Sequence, residues 1–277
     1  MGLKRKLSKV VKFFNSKEKI AVPSVKGMES LLEGKTALIS GGSSGIGFSI
    51  AQKLLSAGCQ VIVSGSNEDK IVKCCEELNS DKVKGIVLNI CEVGNIDSSF
   101  DLALKQFPDS NIDILINCAG YNPKKGFFDI TEYEFDKTFD TNVKGTFFLC
   151  QAAARYMIKN KIKGHILNLS SSSALRPAWS PYEMSKWTIK GFTVGLADTL
   201  ISHDIIVNAI APGPTATPML GVDPSGDIDL PNSPIKRYAT PEEIANLALV
   251  LVSDMGNLII GDTIYATGGS GVISLHK

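Results

Sequence analysis

From residue 34 onward, short runs rich in Val, Ile and Leu alternate with helix-like stretches. The runs are Thr36–Ser40, Val61–Ser64, Val83–Leu88, Ile112–Asn117, His165–Ser170, Ile205–Ile210 and Thr263–Thr267. Strands that are apolar on both faces belong in a sheet covered on both sides, which is the setting of parallel sheets. Helical patterns such as Ile46–Ala57, Asp69–Leu78 and Glu242–Val252 lie between them. The last follows Thr240 and Pro241, a capping residue and a proline suited to the first helical position. Parallel strands need crossover connections, so the alternation predicts one α/β domain with a doubly wound parallel sheet over residues 34–277.

Composition narrows the class. The 277 residues are 44% hydrophobic and 21% charged, as in ordinary soluble globular domains, which excludes collagen-like, low-complexity and disordered chains. No apolar run is long enough to span a membrane. The formal net charge of +1 argues against general nucleic-acid binding. Cysteines at 59, 74, 75, 91, 118 and 150 form no CxxC, and the histidines at 165, 203 and 276 are far apart. No metal site is expected, and free thiols in a reducing cytoplasm are the simplest reading.

Charge is uneven along the chain. Residues 1–26 carry eight Lys or Arg residues against Glu18 alone, so residues 1–33 are read as a basic N-terminal extension. Leu3, Leu7, Val10, Val11 and Phe14 recur there at helical spacing, with lysines mostly off that stripe. A basic amphipathic helix can lie on a membrane surface, here through residues 1–20 at the inner membrane face; the other reading is a solvated tail. The segment lacks the apolar stretch and cleavage site of a secretory signal. A cytoplasmic protein is expected.

The first strand runs through Ser40-Gly41-Gly42-Ser43-Ser44-Gly45-Ile46-Gly47 into a helix. Glycines there let the backbone turn sharply and approach a pyrophosphate, whose charge sits at the helix N-terminus. A plain tight turn also needs glycine, so strand and helix on either side are what point to a nucleotide.

Three Tyr-x-x-x-Lys pairs occur, at 121/125, 133/137 and 182/186. That spacing joins two side chains on one face only in a helix. Pro123 disfavours a helix across the first pair, and the second lies in an acidic amphipathic stretch that reads as a solvated face. The third follows a strand ending Asn168-Leu169-Ser170-Ser171 and precedes the helical pattern Ser185–Leu200.

These residues, with Asn117-Cys118-Ala119-Gly120, Asn142 in Thr141–Gly145, and Pro212-Gly213, resemble the classical short-chain dehydrogenase/reductases over about residues 34–272. The resemblance implies a Rossmann-like fold and NAD(P)(H)-dependent interconversion of a ketone and a secondary alcohol. Catalysis would fall to Asn142, Ser171, Tyr182 and Lys186. A phenol titrates near about 10, too high for a base at neutral pH, and a nearby ammonium is expected to lower it. Ser171 would polarise the carbonyl, and Asn142 would hold a water linking Lys186 to solvent. Family members usually place the serine one or two residues farther from the tyrosine than Ser171, so Ser170 stays an alternative.

Cofactor contacts are implied for Gly41, Ser43, Ser44, Gly45, Ile46 and Gly47, then for Ser66, Asn67, Asn89, Ile90, Asn117, Ala119 and Gly120. Tyr182, Lys186, Pro212, Gly213, Thr215 and Thr217 complete the set. Gly65 stands where NAD-preferring members carry an acid, so no carboxylate would repel a 2′-phosphate and NADP(H) is favoured over NAD(H). Asn89 stands where relatives usually have Asp. Substrate contacts are expected from Ser171, Arg176, Trp179 and Tyr182, and Arg176 offers a charge for an anionic group. Partners are a small carbonyl or alcohol and further copies of the chain, as homodimer or homotetramer. A 3-oxoacyl-thioester reductase is one alternative; a nucleotide-binding redox sensor or scaffold without turnover is another.

Overall fold

The computed structural model describes residues 27–273. The basic head, with its amphipathic stripe, lies outside the described residues. Seven strands form one parallel sheet: β1 Thr36–Ser40, β2 Gln60–Gly65, β3 Val83–Val87, β4 Ile114–Asn117, β5 His165–Leu169, β6 Ile206–Pro212 and β7 Thr263–Ala266. Their order is β3-β2-β1-β4-β5-β6-β7. The chain therefore winds outward from β1 in one direction, then restarts at β4 in the other. Loops leave the sheet on opposite sides at that reversal, which opens a crevice at the carboxyl ends of β1 and β4.

Among the described residues seven α-helices cover the faces: α1 Gly45–Ser56, α2 Glu68–Leu78, α3 Ile96–Leu104, α4 Glu132–Phe139, α5 Thr146–Lys159, α6 Pro181–Leu200 and α7 Pro241–Leu251. Side chains alternate across the sheet as the period of two requires. Ala37 and Ile39 of β1 and Ile114 and Ile116 of β4 pack with Ile50, Leu54, Ile244 and Leu249 of α1 and α7. Leu38 and Leu115 face the other way, toward Phe100, Leu149, Met157 and Ala197 of α3, α5 and α6. Leu32 also packs in the first of these layers.

Two boundaries differ from expectation in ways that matter for the site. Strand β6 continues to Pro212 because Ala209–Pro212 pair with Thr263–Ala266 of β7, a tertiary contact invisible in the local pattern. Helix α6 begins at Pro181 rather than Ser185. The Ser180 hydroxyl accepts from Tyr182 N, and Pro181 occupies the first turn without needing a donor. Tyr182 and Lys186 therefore share one helix. Among the described residues no helix is long and apolar enough to cross a membrane.

Candidate active site

The register brings Ser40, Ser64, Asn117 and Asn168 into one row near the carboxyl ends of β1, β2, β4 and β5. Beyond β1 the chain makes the glycine turn. Gly41 has φ +65°, and a Cβ there would sit 2.6 Å from Ala119 N. A side chain on Gly47 would collide with the Gly41 carbonyl. Ser44 precedes α1 in extended backbone and its hydroxyl makes no capping bond, so the free N–H groups of the first turn keep their binding capacity. A shallow cavity of about 170 Å³ lies against Gly41, Ser44, Gly45, Ile46 and Gly47. Close backbone approach and uncapped donors suit a dinucleotide pyrophosphate.

Ser171, Tyr182 and Lys186 line a neighbouring cavity of about 260 Å³, together with Ile46, Gly120, Pro212, Gly213, Thr215, Thr217, Met219, Leu220 and Arg176. Ser170 is buried, and its hydroxyl donates to the Lys186 carbonyl at 2.9 Å. Ser171 instead lines the cavity with Tyr182, where it lowers the phenol, and its hydroxyl accepts from Ser173 N at 3.1 Å. Geometry thus separates the two serines that spacing left open.

Lys186 is 6% exposed and donates Nζ to the Leu169 carbonyl at 2.8 Å. Burial lowers its pKa to about 8. Burial pushes the Tyr182 phenol up, and hydrogen bonding from Ser171 pulls it down. The Lys186 ammonium lies 5.7 Å from the Tyr182 ring centroid and also bonds the Leu169 carbonyl. Cys118, on the same wall, is pushed up to about 12 by burial and stays a neutral thiol.

Asn142 sits in a π-helical stretch, Asp140–Gly145, between α4 and α5. Its Oδ1 accepts from Tyr121 N at 2.7 Å, and its Nδ2 donates to Tyr121 O and Ser185 Oγ. The side chain therefore clamps the loop after β4 to α6. Asn142 Oδ1, Met219 Cε and Lys186 Nζ converge on Gly120, each within 4 Å of where its Cβ would stand.

The cleft continues past Gly120 into a cavity of about 690 Å³ lined by Ser43, Gly65, Ser66, Asn67, Asn89, Ile90 and Ala119. Two expected residues lie elsewhere. Asn117 turns into the sheet, donating to Asn168 Oδ1 at 2.9 Å and to Cys150 Sγ. Trp179 is 55% exposed and lines neither cavity. Asn67 spends its Oδ1 capping α2 through Lys70 N, and Asn89 Nδ2 is bonded to Glu92. Lys70, Tyr121, Tyr133 and Lys137 also line this cavity, although the residue pattern did not mark them as site residues. The capping signature of Asn67 does place Lys70 in the first turn of α2; Tyr133 and Lys137 reach the cleft only through the packing of α4.

A doubly wound parallel sheet with a glycine cradle at its reversal point, and a Ser, Tyr and Lys beside it, defines a nucleotide-dependent oxidoreductase. Comparison with known proteins agrees. The family model described as Enoyl-(Acyl carrier protein) reductase matches residues 41–271. The chain is 34% identical over 250 residues to a 3-oxoacyl-[acyl-carrier-protein] reductase of Aquifex aeolicus, covering 87% of this chain and 99% of that protein. It is 32% identical over 251 residues to a 3alpha-hydroxysteroid dehydrogenase of Mediterraneibacter gnavus, covering 88% and 99%. The structure of a Brucella melitensis 3-ketoacyl-(acyl-carrier-protein) reductase complexed with NADH superposes with a TM-score of 0.78 at 26% identity, covering 87% of this chain and 100% of that one. The chain belongs to the short-chain dehydrogenase/reductase family and is an oxidoreductase of carbonyl or CH–OH groups.

Proposed function

We propose that this chain is an NADP(H)-preferring reductase of a small ketone, or dehydrogenase of the matching secondary alcohol, with Ser171, Tyr182, Lys186 and Asn142 as its working residues. The observation that carries it is the convergence of Ser171, Tyr182 and Lys186 on one cavity next to the glycine cradle. A bound nicotinamide dinucleotide supplies or accepts the hydride. Gly41, Ser44, Gly45, Ile46 and Gly47 would hold its pyrophosphate, and Ser43, Ser66, Asn67, Asn89 and Ile90 its adenosine end. Ser171 hydrogen-bonds the substrate oxygen. Tyr182 delivers the proton to that oxygen in reduction and removes it in oxidation. Lys186, one helical turn away, replaces the proton, and Asn142 holds the loop and helix in register for that exchange.

Cofactor preference rests on the second strand. No carboxylate stands at Gly65, whose missing Cβ would lie 3.6 Å from Ser43 Oγ. Lys70 adds a positive charge to the wall shared by Ser66 and Asn67. Both features favour a 2′-phosphate. The test is direct titration of protein with NADPH and NADH by nicotinamide fluorescence: tighter NADPH binding supports the preference, and tighter NADH binding refutes it. A screen of carbonyl substrates with both cofactors tests turnover. Binding without turnover on any carbonyl would favour the sensor reading over the enzyme.

Residues 1–33 are proposed as an extension of a cytoplasmic enzyme, with residues 1–20 touching anionic lipid. Flotation with anionic vesicles at low and high salt, comparing the full chain with one starting at residue 27, tests this; equal flotation of the two rules out the membrane role.

A further inference from the structure

The hydride chemistry uses one cation in the substrate cavity, Lys186, and leaves a second without a role. Arg176 lines the same cavity as Ser171 and Tyr182. No Asp or Glu lines it, and among the described residues no carboxylate pairs with the guanidinium. The other lining groups are hydroxyls, backbone and apolar side chains such as Met219 and Leu220. A guanidinium with no carboxylate partner among the described residues, beside a carbonyl-binding serine, is suited to an anionic ligand.

Arg176 is exposed, yet its side chain is tethered. Arg176 Nη2 donates to Ser270 Oγ at 3.1 Å, from the turn that follows β7. The Arg176 carbonyl accepts the indole N–H of Trp187 at 2.9 Å, and its N–H reaches the Ser173 carbonyl at 3.2 Å. A Cβ on Gly271 would lie 3.3 Å from Arg176 Nε, so a side chain there would crowd the guanidinium. Backbone and side chain are thus anchored by two separate elements, α6 and the turn after β7. Four of the five guanidinium N–H groups keep their capacity to bind.

Arg176 follows Ser171 by five residues, across the single 3₁₀ turn Ser172–Leu175. At about 2 Å of rise per residue the two backbones are roughly 10 Å apart, and the arginine side chain spans part of that distance. A ligand that touches both residues is therefore compact.

We propose that the substrate is an oxo acid: a short ketone whose carboxylate is taken by the planar fork of Arg176 while its carbonyl meets Ser171 and Tyr182. This rests on the reading of Ser171 and Tyr182 as the carbonyl-binding pair. It sets the substrate apart from the neutral sugars and from thioesters whose charge sits far from the ketone. The reaction balances as a hydride to the carbonyl carbon and the Tyr182 proton to its oxygen, with the carboxylate unchanged.

The experiment compares three- to six-carbon oxo acids with their methyl esters and with acetoacetyl-coenzyme A, using NADPH. In the wild type at least one oxo acid should exceed its ester in kcat/KM by about 10–100-fold, the range expected for a charged hydrogen bond. Arg176→Gln should erase that advantage by lowering kcat/KM for the acid more than for the ester, and Arg176→Lys should restore part of it. Trp187 donates to the Arg176 carbonyl, so an oxo acid should also change tryptophan emission without cofactor in the wild type and not in Arg176→Gln. Equal use of acids and esters, an equal loss of both in Arg176→Gln, or efficient thioester reduction indifferent to that change overturns the inference while the carbonyl-reductase reading stands. Failure of every carbonyl with cofactor bound overturns both.

Discussion

Lys186 and Ser170 are bonded through the Lys186 carbonyl, while the Lys186 ammonium reaches the Leu169 carbonyl one residue earlier. The end of β5 and the second turn of α6 are clasped at two adjacent residues. Ser170 is consumed by this clasp, which leaves Ser171 alone to meet the phenol.

The two serines should therefore fail differently. Tyr182→Phe and Ser171→Ala are expected to lower kcat by about 10²–10⁴-fold with NADPH affinity nearly unchanged. Ser170→Ala should lower stability by about 1 kcal/mol through the lost buried hydrogen bond and change kcat only a few-fold. Steady-state kinetics beside urea denaturation separate the outcomes; an inactive, stable Ser170→Ala protein would reverse the assignment.

Burial holds Lys186 near about 8, below its value in the unfolded chain. Between that value and the ordinary lysine range the unfolded state binds more protons, so this group makes stability rise with pH across the window. Below it the cost of the buried charge is present in full. Lys186→Met removes the cost together with the activity. The variant should be at least as stable as wild type near pH 7, and its stability should climb less between pH 8 and 10. Urea melts at pH 7 and 9.5 read the difference.

Gly65→Asp should switch cofactor preference without unfolding the chain, because a Cβ there meets only ordinary contacts. The carboxylate would face a 2′-phosphate, so NADPH affinity should fall by at least about tenfold while NADH is spared. Lys70→Ala should weaken NADPH more than NADH. Fluorescence titration measures both.

Helix α6 leaves Trp187 and Val194 exposed, and Phe147 of α5 is exposed beside Phe192. Gly191 and Gly195 have open space where side chains would stand. Flat apolar faces of this kind suit close packing of a second copy. Light scattering should give a dimer or tetramer at micromolar concentration, and Val194→Glu with Phe147→Glu should shift it toward one chain mass.

Much of the fold was readable because a parallel sheet buried on both faces writes itself as consecutive apolar runs; Thr36–Ser40 and its partner Ile114–Asn117 are such runs. The glycine turn and the Tyr182–Lys186 spacing were readable because steric and helical geometry tie them to residue type. The role of Ser170 was not, since its partner is a backbone carbonyl on another element. Asn117 was misplaced for a similar reason: an amide at a strand end can face the cleft or the sheet, and its bonds to Asn168 and Cys150 decide which. The bond from the Lys186 ammonium to the Leu169 carbonyl was not readable either, since that partner too is backbone on another element.

The clasp between β5 and α6 also sets the order in which function can appear during folding. Leu169 and Ser170 reach their geometry through β5, whose partner β4 lies about fifty residues earlier in the chain. Such distant pairings form late, because loop closure must precede the contacts that reward it. The ammonium of Lys186 has no carbonyl to meet until then, however early α6 coils. Helical signal should therefore return on refolding before enzymatic activity does, and the lag between them times the docking of α6 on the sheet.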